Sequence, residues 1–365
     1  MKKYLWAGCF GLALTAFTAY ISLDTFVLRS TYQTNADTIN TTMFESLKES
    51  ADASQGMTEE NSADSELTAA DGGTSDDETR DTVTNGRQRS SDGQSNSRRH
   101  SRSTAADDED DSSPETSAAE TETETVSSDS SYRDENISIT LTEYYQNDTK
   151  IYVADVQLTS AEYLKTAFAD DTYGKNVTDK TSSIAASNNA ILAVNGDYYG
   201  ARERGYVIRN GVVYRDTPSD SDLLCIYANG TMKVMSQSEY TADELVGQGV
   251  WQALAFGPGL VENGSVTVSE NDEVGKAMAS NPRTAIGIVS ENHYLFVVSD
   301  GRTSESAGLS LYQLAQFMKS LGAETAYNLD GGGSSTMYFN GQVINNPTTS
   351  GRIKERGVSD IVYIG

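Results

Sequence analysis

The chain has 365 residues and a formal net charge of −26, with two cysteines and two histidines. The scarcity of cysteine and histidine argues against a three-histidine zinc site and against a Cys/His catalytic dyad. Cys9 lies in an N-terminal apolar segment and Cys225 in the globular part, so no structural disulfide is expected. The expected folded part carries no basic stripe with interleaved aromatic residues, which argues against nucleic acid as a partner.

The N-terminus predicts a membrane anchor. Tyr4 to Leu23 is an uncharged, mostly apolar run of about 20 residues, which as a helix matches the thickness of a bilayer core. Lys2 and Lys3 precede this run and favour a cytoplasmic N-terminus. No small-residue cleavage site ends it, so residues 1–30 are expected to form a signal-anchor transmembrane helix. The C-terminal part would then be extracellular on a single-pass membrane protein; a cleaved signal peptide is the alternative.

The next segment, residues 31–130, is expected to be a disordered acidic linker rich in Ser and Thr. From about residue 50 onward it contains almost no large apolar side chains, so it cannot bury enough surface to offset the entropy of ordering the chain. A basic cluster, Arg87 to Ser103, lies inside it and is interpreted as a solvated, charge-mixed stretch. Such a linker would act as a flexible spacer between anchor and head.

Residues 131–365 are expected to form one globular domain made mostly of strands. Ile137 to Ser160 alternates apolar and polar residues on both sides of "QND", which predicts a hairpin. Asn-Gly pairs between strand-like runs predict further hairpins, for example in "YVIRNGVVYR" and "TMYFNGQVINN".

Helices are expected to be few. "SIAASNNA" predicts a short helix before the apolar strand "ILAVN", and "LSLYQLAQFMKSLG" predicts a longer helix that ends at Gly322. The fold class is therefore α+β, with a mixed, largely antiparallel sheet.

The stretch "NLDGGGSSTM", Asn328 to Met337, is the strongest candidate for chemistry. The strand "ETAYNL" would deliver Asp330 at its end, followed by three glycines and by Ser334 and Ser335. Glycines let a ligand approach the main chain, and successive N–H groups can form a concave anion site. The pattern predicts a phosphate held at Gly331, Gly332 and Gly333 beside a carboxylate. It lacks the Gly-Lys-Ser/Thr ending of a P-loop, and an ordinary acidic turn is the competing interpretation.

Other expected strand ends carry similar groups. "AVNGDYYG" places Asn195 and Asp197 after an apolar strand, and "VSDGR" places Asp300 and Arg302 after another. "NPRTAIG" places Arg283 directly before a strand, and a guanidinium suits bidentate contact with phosphate.

These motifs together with "GLSLYQLAQFMKSLG" and "ERGVSDIVYI" resemble the phosphodiester glycosidase family, in the family's order, over about Ala190 to Gly365. The resemblance implies hydrolysis of a carbohydrate phosphodiester, namely a sugar-1-phosphodiester. Together with the expected membrane anchor, this gives the hypothesis that the substrate is a phosphoglycan or exopolysaccharide outside the cell. The resemblance also implies catalytic roles for Asp330, Asp300 and Asp197. The substrate-binding residues that it implies are Asn195, Arg283, Thr284, Asn328, Gly331, Gly332, Gly333, Ser334, Ser335 and Arg356.

The roles of the carboxylates stay open between nucleophile and base. The sequence identifies no definite cofactor, and a divalent cation held by aspartate oxygens, with calcium as the first choice, is an option. The main alternative is a non-catalytic head that binds carbohydrate or phosphate during cell-envelope polysaccharide assembly. A metal-dependent phosphoesterase would need more His or Asp clusters than the chain has.

Overall fold

The computed structural model describes residues 5–26, 28–34, 41–66, 126–127, 129–272 and 280–365. Its α-helices are α1 (Leu5–Phe26), α2 (Thr41–Glu66), α3 (Thr181–Ser187), α4 (Ala242–Gly247) and α5 (Leu311–Ser320). Its strands are β1 (Ser30–Thr34), β2 (Val126–Ser127), β3 (Ser131–Arg133), β4 (Ile137–Gln146), β5 (Thr149–Leu158), β6 (Leu164–Phe168), β7 (Thr172–Lys175), β8 (Asp179–Lys180), β9 (Leu192–Asn195), β10 (Val207–Arg209), β11 (Val212–Arg215), β12 (Asp222–Tyr227), β13 (Met232–Ser236), β14 (Val250–Leu254), β15 (Gly259–Glu262), β16 (Ser265–Val266), β17 (Arg283–Ser290), β18 (His293–Ser299), β19 (Thr325–Asn328), β20 (Met337–Phe339), β21 (Gln342–Val343), β22 (Thr348–Thr349), β23 (Arg352–Ile353), β24 (Gly357–Val358) and β25 (Asp360–Ile364).

Three sheets make up most of the domain. A nine-stranded sheet runs in the order β16-β15-β19-β17-β18-β5-β4-β3-β2. Two five-stranded sheets run β11-β10-β14-β12-β13 and β21-β20-β9-β25-β6. The strand pairs within these sheets are antiparallel, so the expectation of an α+β fold with largely antiparallel sheets and few helices is confirmed.

The hairpins form where turn residues predict them. Asn147 and Asp148 both have φ of 53° between β4 and β5, and Asn340 and Gly341 have φ of 45° and 88° between β20 and β21. Two successive positive φ values give the turn whose twist matches that of the flanking strands, and Asn, Asp and Gly adopt them at least cost. The local sequence therefore determines these connections.

The centre of the large sheet is buried on both faces. Along β18, Tyr294, Phe296 and Val298 point into one core, which they share with residues of both five-stranded sheets. Leu295 and Val297, at the alternate positions, point into a second core beneath α5. Side chains of a strand alternate between faces, so an uninterrupted apolar run is what a strand covered on both sides requires.

Helix α5 begins and ends as its sequence predicts. Ser310 accepts a hydrogen bond from the N–H of Gln313, whose side chain accepts from the N–H of Ser310 in return. Gly322, with φ of 87°, follows its last turn. Its apolar stripe, including Leu314 and Met318, covers the second core.

Part of the expected linker range is structured. Strand β1 pairs with β7, and Phe44 of α2 is buried with its ring edge-on to Trp251 at a centroid distance of 4.9 Å. Phe44, Leu47 and Ala51 share one face of α2, a stripe that the Ser- and Glu-rich composition around it conceals. The prediction of disorder is therefore wrong for residues 31–34, 41–66 and 126–127; residues 35–40, 67–125 and 128 lie outside the described ranges.

The N-terminal apolar run forms helix α1, on which Phe10, Leu12 and Phe17 are exposed. Among the residues that the structure describes, no helix meets the length and apolarity needed to cross a membrane. The expected transmembrane anchor over residues 1–30 is thus not shown.

Candidate active site

Antiparallel pairing brings several of the predicted strand ends to one edge of the large sheet. Ala285 of β17 lies opposite Asn328 of β19, and Arg283 lies opposite Ser299 of β18. The beginning of β17 and the ends of β18 and β19 therefore meet at one edge. Segments such as "NPRT", "SDGR" and "NLDGGG" are distant along the chain but close in the fold.

A cleft of about 160 Å³ opens at this edge. Its lining combines aspartate with arginine: Phe256, Asn281, Arg283, Arg302, Asn328, Leu329, Asp330, Gly331, Gly332 and Arg356. Among these lining residues Asp330 is the carboxylate, and three guanidinium groups accompany it. Cations beside a single carboxylate suit an anionic ligand that must also meet a base or nucleophile.

Asp330 is held firmly in this cleft. Its Oδ2 atom accepts hydrogen bonds from Ser334 Oγ at 2.6 Å and from Arg356 Nη2 at 2.6 Å. Arg356 Nε also donates to Ser334 Oγ at 2.9 Å, so the three side chains form a closed triangle. Burial raises the pKa of Asp330, while Arg356 and Ser334 act in the opposite direction. A carboxylate with a raised pKa is a stronger base than an ordinary aspartate.

Arg356 also lies close to one of two neighbouring tyrosines. Its guanidinium carbon is 5.9 Å from the centre of the Tyr198 ring, and Tyr198 is 44% exposed. Tyr199, by contrast, is buried and stacks on Tyr173 at 5.1 Å between ring centroids. Tyr198 is thus the tyrosine available to a ligand, and Tyr199 belongs to the core.

The glycine loop serves close packing as well as the cleft. Gly332 has φ of 62°, and its N–H donates to the carbonyl of Pro282 at 2.8 Å. A Cβ at Gly331 would lie 2.9 Å from the Pro282 carbonyl oxygen, and one at Gly332 would lie 3.0 Å from Arg302 Nη2. The N–H of Gly332 is therefore used within the protein, and the anion-nest prediction does not hold for it.

Gly333 and Ser335 are packed against the segment that includes Asn345 and Thr349. A Cβ at Gly333 would lie 2.7 Å from Thr349 Oγ1, and Ser335 is fully buried, its carbonyl accepting from Asn345. Neither residue lines the cavity.

Asn195 and Thr284 lie behind Asp330. Asn195 comes from the end of β9 in a five-stranded sheet, and its Nδ2 donates to the Asp330 carbonyl at 2.6 Å. Its Oδ1 accepts from Thr284 Oγ1 at 2.8 Å. Both residues are fully buried and do not line the cleft, so they position the Asp330 backbone.

Asp300 is brought near this region but holds a loop. Its Oδ1 accepts from the N–H of Asn346 at 2.8 Å and from Asn345 Nδ2 at 3.2 Å. Its Oδ2 accepts from Asn346 Nδ2 at 3.2 Å. Asp300 is buried and does not line the cleft. The geometry therefore gives it a structural role and does not place it with Asp330.

Asp197 also lies outside the cleft, in a buried ion cluster. Its oxygens accept from the N–H groups of Tyr199 and Ala255, both at 2.9 Å. Arg209 Nη2 lies 3.0 Å from Asp197 Oδ2 and 2.7 Å from Asp360 Oδ2. One buried guanidinium thus serves two carboxylates, which leaves a surplus negative charge when both are ionised.

Asp360 carries the consequence of that surplus. Burial, with a further contribution from Asp197, raises the pKa of Asp360 to about 7 despite the opposing effect of Arg209. The folded state therefore binds a proton between about pH 4 and pH 7 that the unfolded state has released, so this group makes stability fall as pH rises through that window. For one proton the slope is at most about 1.4 kcal/mol per pH unit.

Asp360→Asn, a neutral isostere, should flatten the dependence of melting temperature on pH between about pH 4 and pH 7. Thermal melts across this range measure the effect. The exposed carboxylate variant Asp129→Asn is the control and should keep the wild-type slope. A wild-type slope in Asp360→Asn would show that another group carries the dependence.

Four lining residues fall outside the predicted binding set: Phe256, Asn281, Arg302 and Leu329. Arg302 has φ of 61°, and its Nε and Nη2 donate to Asn281 Oδ1 at 3.1 and 2.6 Å. Both residues lie within motifs that carry the family resemblance, so their positions could have suggested them. Phe256 had no such signal, since it follows an apolar strand and reads as core.

The described residues contain no group of three or more His, Cys, Asp or Glu side chains placed to hold a metal ion. Calcium prefers six to eight oxygen ligands, whereas the cleft presents one carboxylate among guanidinium groups. The donor set of the cleft therefore does not fit calcium.

About half of this chain is similar in sequence to known proteins. Residues 188–365, which include all the lining residues, match the family model for phosphodiester glycosidase. The SPbeta prophage-derived uncharacterized protein YomE of Bacillus subtilis (strain 168) is 30% identical over 200 residues, which cover 53% of this chain and 30% of that protein. N-acetylglucosamine-1-phosphodiester alpha-N-acetylglucosaminidase of Mus musculus is 32% identical over 101 residues, which cover 24% of this chain and 19% of that protein.

A solved structure shows the same fold. It is the catalytic domain of the zebrafish N-acetylglucosamine-1-phosphodiester alpha-N-acetylglucosaminidase, with a TM-score of 0.51 at 20% identity. The match covers 62% of this chain and 82% of that one. The chain spans less than a third of the length of the two curated relatives named above.

Proposed function

From the match of residues 188–365 to the family model for phosphodiester glycosidase, we propose that this chain is a hydrolase of sugar-1-phosphodiesters. It would release free sugar and leave the phosphate on the other partner. One observation carries the proposal: a buried carboxylate of raised pKa, Asp330, lies in the same small cleft as three arginines.

The reaction needs few catalytic groups. Water attacks the anomeric carbon, the bond from that carbon to the phosphate oxygen breaks, and the phosphate departs with the bonding electron pair. Asp330 takes the proton of the attacking water, or it attacks the carbon itself and water then hydrolyses the glycosyl ester. A phosphate is a good leaving group, so a second carboxylate acting as acid is not needed.

The arginines divide between two tasks. Arg356 is paired with Asp330 and Ser334, so it orients the carboxylate. Arg283 and Arg302 also line the cleft, and they are assigned to the departing phosphate, whose charge grows as the bond breaks. Arg302 is oriented for this by its two hydrogen bonds to Asn281 Oδ1.

A non-catalytic head that binds sugar phosphate is the alternative. Asp330 argues against it, because a carboxylate beside a bound phosphate repels it and a pure binding site gains nothing from that group. Turnover separates the two functions, since both would bind the same ligands.

The direct test is an activity screen of the full-length chain on a panel of sugar-1-phosphodiesters with a 4-nitrophenyl group on the phosphate. Free sugar is the product to measure, because it distinguishes glycosidic cleavage from phosphoesterase cleavage, which would leave the sugar 1-phosphate. Release of free sugar, absent with Asp330→Asn, supports the proposal. Binding without any turnover would favour the alternative.

We also propose that the reaction takes place outside the cytoplasm, on a cell-envelope phosphoglycan or exopolysaccharide. The support is the uncharged N-terminal run Tyr4 to Leu23, preceded by Lys2 and Lys3. Protease treatment of intact cells should then degrade the domain, and carbonate washing of membranes should distinguish a retained anchor from a released protein. A domain protected in intact cells would contradict this location.

A further inference from the structure

Asn328, at the end of β19, has its side-chain amide fixed in one orientation. Its Nδ2 donates to the carbonyl of Gly257 at 2.8 Å, and its backbone N–H donates to Pro258 at 3.1 Å. The flipped amide would place two acceptor oxygens against each other and lose the donation. Oδ1 is therefore the atom directed away from Gly257.

That oxygen has no hydrogen-bond partner among the described residues, although Asn328 is only 1% exposed. A buried acceptor without a donor is unfavourable, and such groups in folded proteins are few. Asn328 lines the cleft beside Asp330, so a bound ligand is the natural source of the missing donor.

The other polar side chains discussed in the cleft are either hydrogen-bond donors or acceptors that already have a donor. The guanidinium groups that line it are donors only. Asn281 Oδ1 is occupied by Arg302, and Asp330 Oδ2 is occupied by Ser334 and Arg356. A phosphodiester carries acceptors but no donor, so within the substrate the donor would be a hydroxyl or N–H group of the sugar.

We propose that Asn328 Oδ1 is a specificity determinant that accepts a hydrogen bond from a hydroxyl or N–H group on the sugar ring next to the reacting carbon. This inference rests on the proposed function. It assigns phosphate to the arginines and the sugar to the Asn328 side of the cleft. A sugar without a donor at the matching ring position would leave Oδ1 buried and unpaired, and would be rejected for that reason.

The cavity next to the Asn328 side of the cleft also favours a ligand that carries hydrogen-bond donors. A neighbouring cavity of about 500 Å³ shares Phe256 with the cleft and includes Gly257, the residue that holds the Asn328 amide. Carboxylates line it, among them Asp222 and Glu262. Burial, with Asp222 adding, raises the pKa of Glu262. Hydroxyl and N–H groups suit this side, whereas further anionic groups do not.

The test uses the full chain and the best 4-nitrophenyl phosphodiester from the activity screen, with a series in which each ring hydroxyl or N–H is replaced in turn by hydrogen. With the wild type, one analogue should lose about 10- to 100-fold in kcat/KM. Asn328→Leu should lose a comparable factor on the parent substrate and lose little more on that one analogue. Asn188→Leu is the matched control, because Asn188 Nδ2 also donates to a backbone carbonyl, at 2.8 Å, but lies outside the cleft.

The outcomes separate the inference from the function. Parent turnover with equal rates across the series would overturn the inference and leave the hydrolase intact, and this arm needs only wild-type protein. If the analogue lowers kcat/KM of Asn328→Leu by the same factor as it lowers that of the wild type, the inference would also be overturned. Another residue would then recognise the sensitive sugar group. Absence of turnover on every parent would refute the proposed function, and the inference with it.

Discussion

Asp330→Asn is expected to reduce kcat for sugar-1-phosphodiester hydrolysis by at least ~10²-fold, the low end for lost acid–base help. The amide keeps the size of the side chain and can still accept from Ser334 and Arg356, but it has no negative charge with which to take a proton or attack carbon. Substrate binding should survive or tighten, because repulsion between the carboxylate and the phosphate is relieved. Steady-state kinetics with calorimetric binding measures both effects.

The matched control is Asp155→Asn, since Asp155 contacts His293 at 2.9 Å on β5, away from the cleft. It should leave kcat unchanged. Arg356 would lose its ionic partner in Asp330→Asn, but its side chain is 39% exposed and can be solvated, so the melting temperature should change little. A folded Asp330→Asn protein with near-normal turnover would remove Asp330 from the chemistry.

Arg283→Lys is expected to lower kcat/KM by about 10-fold or more, the equivalent of one charge-assisted hydrogen bond. Arg283 is buried at the beginning of β17, and its Nε donates to the Leu309 carbonyl at 2.9 Å. An ammonium keeps the charge but cannot hold that carbonyl and phosphate together through one planar group. Initial-rate measurements over a range of substrate concentrations give the ratio.

Arg204→Lys serves as its control. Arg204 Nε likewise donates to a backbone carbonyl, that of Pro218 at 2.9 Å, but the residue lies outside the cleft. If both variants keep the wild-type kcat/KM while remaining folded, Arg283 does not contact the phosphate.

Local features of this fold could be predicted because their causes are local. The Asn147–Asp148 and Asn340–Gly341 turns depend on residues that tolerate positive φ. Helix α5 depends on its own apolar spacing, its Ser310 cap and its Gly322 ending. The prediction was wrong at α2, which was expected to be disordered. Its buried stripe of Phe44, Leu47 and Ala51 stabilises the helix only by packing on the domain, which the local sequence does not reveal.

The sequence by itself determined that a carboxylate, a glycine run and arginines stand at strand ends, because motif and turn chemistry are readable along the chain. Only the tertiary structure decided which of three aspartates meets the arginines. Asp330, Asp300 and Asp197 each follow a strand, yet Asp300 holds the Asn345–Asn346 loop and Asp197 balances Arg209. Those partners lie more than ten residues away along the chain. Long-range contacts therefore determine whether a carboxylate is buried in structural hydrogen bonds or lines the cleft where a ligand can reach it, and a local sequence pattern cannot show this.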